Sequence, residues 1–538
     1  MKIILCLEGD DGRVEHWRPR ARLCRCGGST GNSVVVMAIV DPEAAAAAAV
    51  KSPSAHDGLS RRAIYLHGSL AIPLAIFGYP LAIWLPPYYG ASLGSLALVG
   101  TLLMLARFTD VFTDPLMGEI SDRGRTRFGR RKPYMVLGAP CLMVSAWFLF
   151  VPPDGAGVLY LLCWLTAFFA SATMIQIPFR AWGAELSADY HVRSRITAVR
   201  EVFVLGGLLL AAAVPMVVEI LADGGAVAEV FTAMWRDMIG AFSGEIMNRV
   251  PSDRSALVRP VLYWLAITII VAVPLLTLLV VTTVKEPPPA ARERVPVIEG
   301  FRHMWRNGPM RRVLMIAFLV VAGESLRNAV SLFFIRDIVG IPTIGAAYFL
   351  YFVAGIAAIP FWLWMGRKVG KHRAFLGTLG FVSFVSAANL FLGYGDYFAF
   401  FCLFLMKGFA FGGLQFLPLA MLADVVDVDS ARSGGRRAGA YFAVIGLSEK
   451  LAAAIFTGVA LNIVGLLGYQ AMGASASAEQ GVLALRLVYC LGPIALYSLA
   501  VPLIWSYPLT PERHARLRAS LERRAARLAA AKQADSQA

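Results

Sequence analysis

The chain has 538 residues, of which 58% are apolar and 16% charged, and it carries a net charge of +15. Soluble domains are about 45–50% apolar, so this composition excludes an ordinary soluble domain and points to a polytopic membrane protein. The positive balance implies no nucleic acid, because the basic residues collect in short loops between apolar segments, where cytoplasmic loops meet anionic lipid.

Residues 1–60 read as a cytoplasmic leader. Its opening, MKIILCLEGDDGRVEHWRPRARLCRCGG, lacks an apolar run long enough for a signal peptide. Met37 begins a more usual leader and is the expected physiological start. Cys24 and Cys26 have no partners at metal-ligand spacing and predict no zinc site. Beyond the leader, twelve segments are apolar over the ~18 residues that suggest a membrane span. They fall near 64–86, 93–119, 134–152, 156–184, 197–222, 257–283, 311–337, 342–364, 374–393, 396–423, 440–466 and 484–508. The pattern predicts an all-α membrane protein of twelve transmembrane helices in two six-helix halves, 61–284 and 311–509. A connector, 285–310, joins the halves, and a basic tail, 510–538, follows them.

The loops alternate in charge. Basic residues crowd 120–133, 185–196, the connector, 365–373 and 424–439, while the intervening short loops hold no Lys and only Arg336 at a border. The positive-inside rule then places both termini in the cytoplasm. The long loop 223–256 departs from the pattern, as long loops do, and its AEVFTAMWRDMIGAFSGEIM portion has the spacing of an amphipathic helix.

The densest chemistry lies in ARFTDVFTDPLMGEISDRGRTRFGRRKP, residues 106–133. Asp110 and Asp114 are four apart in an apolar helix and so share one face. A charge at the bilayer centre costs roughly 2.5–3.5 kcal/mol on the insertion scale. Two neighbouring acids therefore belong in a bundle interior, holding a cation or sharing protons. The competing reading pairs them with Arg107 and Lys450 simply to tie the halves together. Hard cations such as Na⁺ take carboxylate and hydroxyl oxygens, and adjacent acids can share a proton, so the coupling ion is Na⁺ or H⁺. No resident cofactor is expected. A segment at 362–375, WLWMGRKVGKHRAF, occupies in the second half the place that GEISDRGRTRFGRRKPY holds in the first. Such duplication is how many secondary transporters are built, with the substrate at midplane between the halves.

Four stretches carry a family likeness. RFTDVFTDPLMG (107–118), FGRRKPY (128–134), ADVVDVDSARSGGRRAGAYF (423–442) and SEKLAAAIFTG (448–458) together resemble the glycoside–pentoside–hexuronide:cation symporters of the major facilitator superfamily, the melibiose permease type. The resemblance implies a major facilitator fold and symport of a small polar solute with Na⁺ or H⁺, in a plasma (inner) membrane. It further implies that Asp110, Asp114, Thr113 and Thr173 contribute to the cation site. Lys450 and Arg200 match basic residues at the ion and sugar sites and the cytoplasmic side of the cavity. The acids with which the type member grips galactoside hydroxyls are missing. Span one has none, and span four has Gln176 and Arg180 where an acid and an aromatic platform would stand. Arg180 and Arg200 suit an anionic group, or else snorkel at the membrane border. Tyr441, after the Gly-Arg-Arg motif, is the aromatic best placed by sequence to stack on a sugar.

Glu324 and Arg327 lie about one turn apart in span seven and are expected to pair, with Asn328 beside them on a possible cavity wall. Asp122 with Arg130 and Arg131, and Asp424 and Asp427 with Arg436 and Arg437, are expected to lock helix ends and open during alternating access. Plain solvation of the loops is the bland alternative. No nucleophile elbow, Walker loop or metal signature supports an enzyme. The expected partners are a small-molecule solute and membrane lipid, around a monomer. The alternatives are a transporter of an anionic or lipid-like solute, and a non-transporting receptor or scaffold on the same fold.

Overall fold

A computed structural model describes residues 60–124, 126–187, 190–222, 257–287, 307–341, 344–433, 438–471 and 477–507. The leader, the long loop 223–256, most of the connector and the tail lie outside the described residues.

Twelve helices among the described residues are long and apolar enough to cross a membrane. In the first half these are α1 (Arg61–Ser92), α2 (Leu96–Arg123), α3 (Lys132–Phe150), α4 (Val158–Glu185), α5 (Arg195–Ala222) and α6 (Val258–Thr283). In the second they are α7 (Gly308–Val339), α8 (Ile344–Val369), α9 (Lys371–Phe391), α10 (Tyr397–Leu422), α11 (Val444–Leu466) and α12 (Glu479–Trp505). No strand occurs among the described residues. The protein is a multi-pass membrane protein with the two-half, twelve-helix architecture expected. The helices outrun the apolar segments at the basic end: α2 continues to Arg123, and the helix containing α10 runs on to Ser433. Polar residues at a helix end keep the backbone hydrogen bonds going after the apolar requirement has ended.

The two halves meet closely at the end remote from the basic loops. There the first part of α2, Leu96–Phe108, packs along α11, while its second part, Asp110–Arg123, packs chiefly on α4. Small residues permit the approach. A Cβ on Gly100 would stand 2.7 Å from the Leu461 side chain, and one on Gly458 would stand 2.8 Å from Met104. The Thr101 hydroxyl and the Asn462 side-chain oxygen, 3.1 Å apart, bridge the same crossing. Between α5 and α8, both carboxylate oxygens of Glu219 accept from the Gly345 N–H, at 3.0 and 2.9 Å, in the first turn of α8. A carboxylate is well placed there, since free amides and the positive end of the helix dipole both face it. Tyr79 of α1 meets Tyr348 of α8 edge-on, with ring centres 5.6 Å apart.

At the basic end the ion pairs seen among the described residues lie within each half. Arg131, nearly fully buried, donates to Asp122 at 3.0 Å and to Glu185 at 2.8 Å, and Arg130 also pairs with Glu185. Glu286 accepts from the Arg130 and Arg131 amides, each at 3.0 Å, which caps the start of α3. Gly129, at φ +116°, leaves room for that carboxylate; a Cβ would fall 2.3 Å from it. The second half repeats the scheme, with Lys371 at the start of α9 bound to Asp424 at 2.7 Å beyond α10. The halves are thus closed on each other at one end and separately braced at the other.

Replacing Gly100 by Val forces a side chain into Leu461, and overpacking of this kind costs about 1–3 kcal/mol. The purified variant should melt several degrees below the wild type in a detergent thermal scan, whereas Gly206→Val, at a position where a Cβ meets nothing within 4 Å, should not.

Candidate functional site

The face of α2 that carries the two acids follows from its spacing. Asp110, Thr113, Asp114 and Met117 turn inward, while Phe112 and Leu116, 76% and 59% exposed, turn outward. Helical order is broken for one residue at Thr109, whose hydroxyl bonds back to the Ala106 carbonyl at 2.6 Å. Asp110 therefore sits in the first turn of a new helical segment, where amides and dipole favour a carboxylate. Pro115 lies inside that segment, where it supplies no amide to the carbonyl four residues before it.

Three elements converge on these acids. The Thr173 hydroxyl of α4 donates to Asp114 Oδ1 at 2.9 Å. Lys450 of α11 crosses from the other half and donates to both Asp114 oxygens, at 3.0 and 2.7 Å, with Asp110 Oδ2 3.6 Å away. Arg107 approaches Asp110 from one turn before, at 3.7 Å, with its guanidinium 4.4 Å from the Phe169 ring centre. Asp110 Oδ1 and the Thr113 hydroxyl are buried with no hydrogen-bond partner. A buried, unpaired oxygen costs free energy comparable to a lost hydrogen bond. The cluster thus holds two carboxylates, two counter-cations and two unspent oxygens. Among the described residues no group of three or more His, Cys, Asp or Glu could hold a metal ion. The donor set of carboxylates and hydroxyls suits a proton or a hard monovalent cation, not a transition metal.

The remaining residues singled out in the sequence divide. Arg180, exposed on α4, faces the charges of Arg200, Glu201, Glu449 and Asp114 and reaches toward Gly446 of α11. Arg200 is held by its neighbour Glu201 at 2.6 Å. Gln176 is half-buried on α4, one turn beyond Thr173. Glu449 turns away from Lys450 and toward Arg180, as adjacent positions on a helix must. Asp424 binds Lys371. Arg436 and Arg437 lie outside the described residues, as do the side chains of Asp427 and Tyr441. Glu324 and Arg327 pair with each other, and Arg327 also donates to Ser386 at 3.1 Å.

Three residues were not singled out by the sequence reasoning. Glu185 receives both basic-loop arginines, and Glu286 receives their amides; both are ordinary acids at helix ends, with no spacing signal. Lys407, 3% exposed, is the lone lysine in the apolar run FCLFLMKGFAFGG, and a rule that flags every charge inside a span finds it. Its ammonium stands 5.0 Å from the Tyr351 ring centre.

Residues 66–511 match the family model described as MFS/sugar transport protein. The chain is similar to the sphingosine-1-phosphate transporter MFSD2B of Xenopus tropicalis, 26% identical over 76% of this chain and 80% of that protein. It is also similar to the putative glycoside/cation symporter YagG of Escherichia coli (strain K12), 24% identical over 80% of this chain and 88% of that protein. The fold matches a bacterial homologue of the human lysosomal transporter Spinster, in an inward-facing and unoccupied conformation. That match has a TM-score of 0.57 at 12% identity, over 84% of this chain and 100% of the other.

Removing one member of a buried ion pair costs about 3–5 kcal/mol. In Lys450→Met the two acids lose a counter-charge, so its melting temperature should fall at pH 8 without sodium. It should recover with added Na⁺ or on acidification, since either supplies the missing positive charge. A fall that neither treatment reverses would place Lys450 outside the electrostatics of the acid pair.

Proposed function

We propose a transport cycle for this chain, which belongs to the MFS/sugar transport protein family. Membership makes it a transporter of a small molecule rather than an enzyme. In our reading it is a secondary active symporter that couples a small polar solute, of the glycoside, pentoside or uronate class, to Na⁺ or H⁺ in a plasma (inner) membrane. The basic end faces the cytoplasm by the positive-inside rule, so the conformation closed at the far end is the inward-facing one.

The observation that carries this reading is the acid pair with two unspent oxygens, bridged by a lysine from the opposite half. Asp110, Asp114, Thr113 and Thr173 would take the cation, and Lys450 would be its internal rival. A cation entering the cluster shares the carboxylates with the Lys450 ammonium and weakens the bond between α2 and α11. Cation binding then favours one arrangement of the halves over the other, which is the differential affinity that coupling requires. The solute binds between the halves, near Arg180, Gln176 and Arg200, and the halves rock about it. Asp122, Arg130 and Arg131, with Asp424 on the other side, brace the cytoplasmic helix ends. Arg180, with no ion pair among the described residues, supports a second reading in which the solute carries an anionic group.

A ligand that binds only the folded state stabilises it by RT ln(1 + [L]/Kd), about 2.7 kcal/mol at a hundredfold excess over Kd. Melting temperatures of the purified protein across Na⁺, Li⁺ and K⁺ at several pH values should show a rise specific to Na⁺, or a pH-dependent shift if H⁺ is the partner. Asp114→Asn should abolish whichever appears. A wild type indifferent to both ions would remove coupling and leave a facilitator or a receptor.

A further inference from the structure

Ala354, Ala357, Phe361, Trp364 and Lys368, at spacings of three and four, share one face of α8. That face turns away from the first half. Gly345 marks the opposite side, because a Cβ there would stand 2.3 Å from the Met216 amide nitrogen of α5. Ala354 follows nine residues later, which is two and a half helical turns. α9 packs on α8, α10 and α12, all of its own half. Phe361 and Trp364 of α8 and Phe384 of α9 are exposed, as on a surface that faces lipid.

Between α8, α9 and α10 this surface opens into a groove of about 460 Å³. The three small side chains of Ala354, Ala357 and Ala358 leave the room, and Phe381 of α9 makes another wall. Phe409 of α10 also lines it, with its ring centre 5.1 Å from that of Phe361 and 6.1 Å from that of Phe381. Every residue lining the groove is apolar. Two helices agree on its depth. Ala358 precedes Lys368 by ten residues and Phe381 follows Lys371 by ten, about 15 Å at a rise of 1.5 Å per residue. That is half of the roughly 30 Å hydrocarbon core. The basic end of the stripe is charged and unspent. The Lys368 ammonium stands 5.0 Å from the Trp364 ring centre. Lys368 and Arg373, exposed on either side of the turn at Gly370, form no ion pair among the described residues, whereas Lys371 between them is bound to Asp424.

We infer that this face binds one phospholipid with an anionic headgroup, its acyl chain in the groove and its phosphate against Lys368 and Arg373. The inference takes the basic end as cytoplasmic, as in the reading above, and goes beyond that reading: this lipid is a resident ligand outside the path of the solute. The cytoplasmic leaflet is the anionic one, so lipid and cations are complementary in charge. The distance from Lys368 to the groove is what an acyl chain must cover to reach the bilayer middle. A second copy of the chain fits worse, because a twofold contact sets the same patch against itself and brings its unpaired cations together.

The test is native mass spectrometry of the purified, delipidated full chain with dioleoyl phosphatidylglycerol or dioleoyl phosphatidylcholine added in steps. One phosphatidylglycerol should bind ahead of the rest, roughly fivefold or more tighter than phosphatidylcholine, the worth of one basic residue at an anionic headgroup. Lys368→Gln combined with Arg373→Gln should bring the two lipids level. Ala357→Trp, which fills the groove from an exposed position, should weaken both. The delipidated variants should melt with the wild type, which separates loss of the site from loss of the fold. Equal wild-type affinity for the two lipids, or phosphatidylglycerol binding undiminished in Ala357→Trp, would overturn the inference. So would a dimer that Ala357→Trp abolishes, since the occupant is then a second copy. Selective phosphatidylglycerol binding in a wild type that melts identically in every cation would overturn the coupling and uphold the lipid site.

Discussion

The ion pair between Lys450 and Asp114 has its two charges in different halves of the protein. It lies where water is scarce, so the attraction is strong and an unpaired member is costly. Every other feature of the centre is arranged around it. Thr173 satisfies one oxygen of Asp114, Arg107 stands against Asp110, and the remaining buried oxygens of Asp110 and Thr113 are left unspent. A purely structural tie would need one acid and one base. Two acids, two bases and spare oxygens make a cluster whose charge can be rearranged by one more cation, and that is the physical content of the proposed coupling.

The two ends of the molecule solve different problems. At the far end, glycines let α2 and α11 approach until backbone and side chain touch, and the Glu219 carboxylate caps α8 from across the interface. These contacts are short-ranged and lose their worth quickly when the halves separate. At the basic end, the charges that pair among the described residues do so inside each half. Arg131 is enclosed by Asp122 and Glu185, and Lys371 by Asp424. Braces of this kind keep each half rigid while the angle between halves changes, which is what rocking about a central site demands.

The repeat adds economy to this design. The loop between α2 and α3 and the loop between α8 and α9 both send a base to an acid at the end of the helix two further on, Glu185 beyond the first and Asp424 beyond the second. The halves have diverged in their interiors instead. The first keeps carboxylates that meet a lysine of the partner half, and the second keeps the buried Arg327 and Lys407, with the half-buried Glu324, among tyrosines.

What the sequence determined by itself was the part governed by solvent. Runs of apolar residues must cross the bilayer as helices because no water satisfies their backbone. Charge alternation orders the loops, and the four-residue spacing of Asp110 and Asp114 puts them on one face whatever surrounds them. The pairing of Glu324 with Arg327 was legible for the same reason, since neighbours one turn apart on a helix must meet. Tertiary structure alone decided which residues from distant spans complete the site. Lys450 reaches Asp114 rather than Glu449 because α11 crosses α2 at Gly100 and Gly458. Asp424 meets Lys371 because α9 and α10 pack side by side. Lys407 settles against Tyr351 because α8 lies next to α10. Those choices depend on helix packing at distances of a few ångströms, set by the volumes of side chains tens to hundreds of positions apart, and no local periodicity carries that information.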